Sequence, residues 1–142
     1  MPTKITAITN QKGGVGKTTV CAALLSCLHQ RGARVLGVDL DPQGSLGFSL
    51  GLDIEHGATV YDIFRGAAQP EEVIRQTDIC DILPSNILLS AAELEFNKPG
   101  REFLLKAALS KIQDQYDYIV IDTPPALNIL TVNAYVASDS LI

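Results

Sequence analysis

Eight residues near the amino end, Lys12-Gly13-Gly14-Val15-Gly16-Lys17-Thr18-Thr19, carry the strongest chemical signal in the sequence. Phosphate binding needs backbone N–H groups that converge on an anion, and glycine lets a chain turn tightly at close approach. A helix that starts at the end of such a loop adds the partial positive charge of its amino terminus. In this arrangement Lys17 reaches β- and γ-phosphate oxygens and the hydroxyl of Thr18 ligates Mg²⁺, with Thr19 beside it. Against the pattern GxxxxGK[ST], Gln11 stands at the first glycine position and Lys12 places a second lysine in the loop. That lysine is badly placed for its own phosphates and suited to project across a subunit interface.

Two further groups are carboxylates at the ends of apolar runs. Asp39-Leu40-Asp41-Pro42-Gln43-Gly44 follows Arg34–Asp39, and Asp122-Thr123-Pro124-Pro125 follows Tyr118–Ile121. In an open α/β sheet ligands bind outside the carboxyl ends of the strands, so these acids are expected to face the glycine-rich loop. Asp39 suits the hydration shell of Mg²⁺, and Asp41, one step into the loop, suits an attacking water. Asp122 has the placement of a Walker B acid, which holds Mg²⁺ directly or through water. The stretch Ala126–Thr131 is expected to be a loop that senses the γ-phosphate. His29, on the helix face opposite the core, and His56, in a Gly-flanked loop, lack a partner at catalytic spacing.

The elements needed to hold these groups are visible as alternating apolar runs and helical patterns, the mark of an α/β chain with a mainly parallel sheet and helices on both faces. Strands are expected at Lys4–Thr9, Arg34–Asp39, Ile79–Leu83 and Tyr118–Asp122. The first helix should run from Lys17 to Gln30, burying Val20, Leu24, Cys27 and Leu28, with Gly32 just past its end. Pro70-Glu71-Glu72 reads as the first turn of a short helix. Pro99-Gly100 opens another, with Phe103, Leu104, Ala107, Ala108 and Leu109 on its apolar side. The chain has 142 residues, 46% hydrophobic and 19% charged, which suits one domain over residues 1–142 with a real core. It stops inside the strand-like run Ser138–Ile142, so a C-terminally truncated domain is expected.

Composition narrows the setting. The net charge of −5 and the scattered basic residues argue against general nucleic-acid binding by these residues, and Lys98, Arg101, Lys106 and Lys111 read as the wet side of a helix. No apolar run is long enough to cross a bilayer. Three cysteines without metal spacing (Cys21, Cys27, Cys80) support neither a disulfide framework nor a zinc site, so a cytoplasmic compartment is expected.

The motifs NQKGGVGKTT (Asn10–Thr19), VDLDPQG (Val38–Gly44) and IDTPPALNILTVNA (Ile121–Ala134) together resemble the ParA/Soj chromosome- and plasmid-partitioning ATPases, deviant-Walker members of the P-loop class. The resemblance runs through the whole chain and covers about the N-terminal half of a typical member. It implies a P-loop NTPase-like domain that binds ATP and Mg²⁺, with two nucleotides sandwiched in an ATP-dependent homodimer. Lys12 is then the signature lysine that reaches the partner's phosphates, with Gly13 near the interface. Gly14, Val15 and Gly16 cradle phosphate, and Lys17, Thr18 and Thr19 hold phosphate and metal. Asp41 serves the hydrolytic water and Asp122 is the Walker B acid. A ParB-like centromere-binding protein stimulates hydrolysis, and non-specific DNA is bound through the C-terminal half, which places such a switch in the cytoplasm on the nucleoid and away from the membrane. Ser45 stands where the family often has Asn.

Three other readings compete. A MinD-like cell-division ATPase shares the P-loop, but the Asp122–Leu130 stretch favours the partitioning branch. An iron protein related to nitrogenase reductase needs bridging cysteines. A truncated nucleotide-binding fragment without activity is the third.

Overall fold

The computed structural model describes residues 2–9, 16–53 and 55–142, with the backbone alone at position 17. Strand β1 (Lys4–Ile8) leads to helix α1 (Lys17–Gln30) and strand β2 (Val35–Asp39). Four short helices follow: α2 (Ser45–Ser49), α3 (Val60–Phe64), α4 (Pro70–Val73) and, beyond strands β3 (Arg75–Gln76) and β4 (Asp81–Leu83), α5 (Ala92–Glu95). Then come α6 (Leu104–Ser110), β5 (Tyr118–Asp122), α7 (Ile129–Ala137) and β6 (Ser140–Leu141). The sheet has the order β3-β4-β2-β5-β1-β6, and every pairing is parallel except that of β3 with β4 at one edge. No helix among the described residues is long and apolar enough to cross a membrane.

Period-two alternation decides which side chains meet which layer. Leu36 and Val38 of β2 and Ile119 and Ile121 of β5 enter the larger core beneath α3 to α7. Val35 and Val120, one residue out of phase, enter a smaller core with Cys21 and Leu25 of α1 and Leu46 of α2. Asp39 and Asp122 share the phase of this second set, so both carboxylates lie on the α1 side. The middle strands are buried on both faces, which is why β2 reads as a continuous apolar run.

Helix α1 has the expected bounds, and Gly32 (φ +84°) ends it in the left-handed conformation, its N–H on the carbonyl of His29 (2.9 Å). Its buried face differs from the expected one. Cys21 and Leu25 are fully buried, Leu24 and Leu28 only partly, and Val20 and Cys27 are exposed. Val20 to Leu25 is apolar all round, so helical spacing alone does not select the inward face. Gly37 selects it. A Cβ there would sit 2.5 Å from Ile82 Cδ1 and 2.9 Å from Leu25 Cδ1, both on fully buried side chains, so the bare glycine lets α1 lie directly on β2. Gly37→Ala is therefore expected to destabilise the fold by about 1–3 kcal/mol through overpacking. Urea unfolding measures it, and an unchanged midpoint would show that the helix has room to spare.

Other expectations also shift. Gly100 (φ +91°) opens a single 3₁₀ turn, Arg101–Phe103, before α6, whose buried residues are Leu105, Ala108 and Leu109, while Phe103 and Ala107 are exposed. Ile129, Leu130 and Thr131 belong to α7 and not to a loop. A buried Asn133 on α7 donates to the carbonyls of Arg101 and Ile129 (2.9 Å each) and accepts from the Leu105 N–H (3.0 Å), which ties α7 to the first turn of α6. Lys98, Arg101, Lys106 and Lys111 are exposed, as a solvated face requires.

Candidate functional site

β5 lies between β1 and β2, so β1 ends directly beside the Asp122-bearing strand, with the Asp39-bearing strand one place further along the sheet. Asp39 and Asp122 are register partners on these neighbouring strands, and both side chains are completely buried. Thr18, in the first turn of α1, donates its hydroxyl to Asp122 Oδ2 at 3.1 Å. The hydroxyl and the two acids that the sequence marked for a metal thus meet at one end of the sheet. Thr19 is exposed on the same turn, and Gly16 precedes the helix with φ −101°, open space standing where its Cβ would be. Lys12, Gly13, Gly14 and Val15 lie outside the described residues, as does the side chain of Lys17.

Asp39 is electrostatically costly where it stands. Burial pushes its carboxyl well above the usual range, the neighbouring Asp122 adds to this, and the Asp41 N–H, which donates to Oδ1 at 3.0 Å, only partly opposes it. Its other oxygen, Oδ2, is buried with no hydrogen-bond partner among the described residues. Such an orphan is normally satisfied by protein, water or an ion. Among the described residues the groups that converge here are oxygen donors, the set preferred by a hard divalent cation such as Mg²⁺.

Asp41 is half-buried and folds back on its own loop, accepting from the Gln43 N–H (3.0 Å) while its carbonyl accepts from Gly44 (2.9 Å). Gly44 adopts φ +69°, which turns the chain into α2. On the far side, the Thr123 hydroxyl donates to the Ile8 carbonyl (2.7 Å) and clamps the strand ends together. A cavity of about 340 Å³ opens there between Thr9, Thr123, Pro125 and Tyr135, where the chain enters the glycine-rich stretch. A second hollow of about 400 Å³ lies between the Pro42-Gln43 turn and Asn86–Leu88. The two hollows thus flank the end of the sheet that carries the acids.

Three residues here were not singled out from sequence. Asn128 caps α7 by accepting from the N–H groups of Leu130 (3.0 Å) and Thr131 (3.3 Å); an Asn just before an apolar run was a readable signal. Glu93 accepts from the Ile129 N–H (2.7 Å), a contact between distant segments with no local signature. Ser85, two residues beyond β4, is completely buried and its hydroxyl has no partner among the described residues.

Known proteins share this fold. The AAA domain family matches residues 3–142. The sporulation initiation inhibitor protein Soj of Bacillus subtilis is 48% identical over 145 residues, covering 98% of this chain and 56% of Soj. Cobyrinic acid a,c-diamide synthase from Mycobacterium smegmatis, solved with bound ATP analog and magnesium, superposes with a TM-score of 0.95 at 42% identity, covering 98% of this chain and 58% of that one. A plasmid partition protein from Borrelia burgdorferi bound to AMPPNP gives 0.85 at 32%, covering 99% and 62%. The chain spans about half the length of the curated relatives it matches. With its P-loop-type α/β sheet, the chain belongs to the AAA domain family and is similar to the amino-terminal half of the Soj and ParA partitioning proteins.

Proposed function

We propose that this chain is the nucleotide-binding part of an ATP-driven partitioning switch. The observation that carries the reading is the meeting of Thr18, Asp122 and the half-satisfied Asp39 at the carboxyl edge of the sheet, at the start of α1. Mg²⁺-ATP is the ligand this set suits, and the nucleotides in the M. smegmatis and B. burgdorferi structures support the choice. Thr18 and Asp122 would hold Mg²⁺, with Asp39 in its hydration shell, and Gly13 to Thr19 would cradle the phosphates. When bound, Mg²⁺ neutralises charge on the phosphate oxygens.

The chain's own groups do the rest. In this reading Lys17 would supply positive charge to the phosphates, and Lys12 would reach those of a second subunit. Asp41, held half-buried by its turn, is placed to accept a hydrogen bond from water and orient it. The Thr123 clamp keeps the β1 and β5 ends in register beneath the site. Dimerisation around two nucleotides, stimulation by a ParB-like protein, DNA binding through the other half of the full-length protein and a place on the nucleoid follow the kinship with Soj.

Calorimetric titration with Mg²⁺-ATP tests the core of the proposal, with Lys17→Ala as control. Binding by the wild-type chain and its loss in Lys17→Ala is the expected pair. A folded wild-type chain that takes up no nucleotide, or a Lys17→Ala variant that binds equally well, would refute it.

A further inference from the structure

The loop that leaves Asp122 runs from Thr123 to Asn128 and ends at the amino terminus of α7. A helix start exposes N–H groups with no partner inside the helix. At α7, Asn128 takes those of Leu130 and Thr131, and the first intrahelical bond runs from the Val132 N–H to the Asn128 carbonyl (3.0 Å). That leaves the Ile129 N–H, and the carboxylate of Glu93 accepts it at 2.7 Å. Helix α7 has no acidic residue in its own first turn, so the negative charge favoured at a helix amino end comes from another element.

The element that supplies it is firmly seated. α5 buries Ala92 against the larger core, and Phe96, at its end, stands edge-on to Phe64 at 5.8 Å between ring centres. The Tyr61 hydroxyl holds the next carboxylate along, Glu95, at 2.8 Å. The far side of the loop is fixed too, since the Thr131 hydroxyl donates to the Ala126 carbonyl (2.6 Å) and Thr123 to Ile8. Glu93 is thus the one side chain from outside this loop and α7 that grips the helix start among the described residues.

We propose that Glu93 is a positioning residue of the site: its carboxylate pins the start of α7 and so sets the path of the loop that departs from Asp122. Its consequence for nucleotide rests on the function proposed above, whereas its hold on the loop does not. The test uses the 142-residue chain with Glu93→Ala, which removes the acceptor, and Glu93→Gln, which keeps an oxygen in place. Amide hydrogen exchange at Ile129–Thr131 should quicken about fivefold in Glu93→Ala, as loss of a cap implies, and stay near wild type in Glu93→Gln, with β2 and β5 unchanged in both. Calorimetry should show weaker Mg²⁺-ATP binding in Glu93→Ala alone. Unchanged exchange at Ile129–Thr131, a uniform rise across the chain, or faster local exchange with undiminished Mg²⁺-ATP affinity would each overturn the assignment. A wild-type chain that binds no Mg²⁺-ATP is a failure of the proposed function, read separately because the exchange measurement needs no nucleotide and decides the hold on α7 by itself.

Discussion

Replacing Asp39 with Asn should make the metal-free protein more stable above neutral pH, by about 1–3 kcal/mol, and remove part of its pH dependence. Asp39 is completely buried, one of its oxygens has no partner among the described residues, and Asp122 stands in register on the next strand. Its folded-state pKa lies well above the ordinary 3.8, first because of burial and then because of Asp122. Between those two values the folded chain keeps a proton that the unfolded chain has released, so stability falls as pH rises. The slope is about 1.4 kcal/mol per pH unit for one proton, and the loss is complete once pH exceeds the folded value. His56, raised by Asp53, titrates with the same sign, but it is exposed and common to both proteins, so the difference between the two curves isolates Asp39. Urea unfolding from pH 4 to 9 should therefore give a falling wild-type curve and a flatter Asp39→Asn curve. Adding Mg²⁺-ATP should raise the wild-type curve most where Asp39 is charged and raise the variant less. Parallel curves under both conditions would mean that Asp39 carries neither the strain nor the metal interaction.

The cost at Asp39 marks where sequence reading succeeds and where it stops. The bounds of α1 and β5 were legible because local chemistry sets them: a glycine at each end of the helix, and an apolar run closed by aspartate in the strand. The types of the site residues were legible for the same reason. Their contacts were not. That Asp39 and Asp122 are neighbours depends on β5 inserting between β1 and β2, a long-range choice that no local pattern encodes. The inward face of α1 was misread because six consecutive apolar positions leave the choice to the partner surface, where Gly37 makes it. Helices α2 to α5 have four or five residues each, too few for a period to show, and β3 is a polar pair at the sheet edge. Gln69 and Glu72 show how such a piece is held locally instead, the carboxylate of one accepting from the backbone N–H of the other at 2.8 Å.

Thr18 and Asp122 should behave as a single metal-dependent unit, and this is the largest effect expected of any pair in the site. In the metal-free protein the hydroxyl donates to Asp122 Oδ2, a part-buried bond to a completely buried carboxyl group. Thr18→Ala removes it and should cost about 1.5–3 kcal/mol of stability. If both groups also hold Mg²⁺, Thr18→Ala and Asp122→Asn should each weaken nucleotide binding about 10–100-fold when Mg²⁺ is saturating. With the metal chelated, both variants should bind ATP nearly as the wild type does, since the glycine-rich loop and Lys17 are intact. The ratio of affinities with and without Mg²⁺ is the quantity to measure, by calorimetry in Mg²⁺ and in EDTA. The double variant sharpens the result: two ligands of one ion should give a combined loss well short of the sum of the single losses. Equal ratios in wild type and variants would leave the Thr18–Asp122 bond as a structural tie between α1 and β5 and would move the metal elsewhere. Additive losses would mean that the two side chains act on nucleotide separately, and the shared-ion reading of this edge of the sheet would fall.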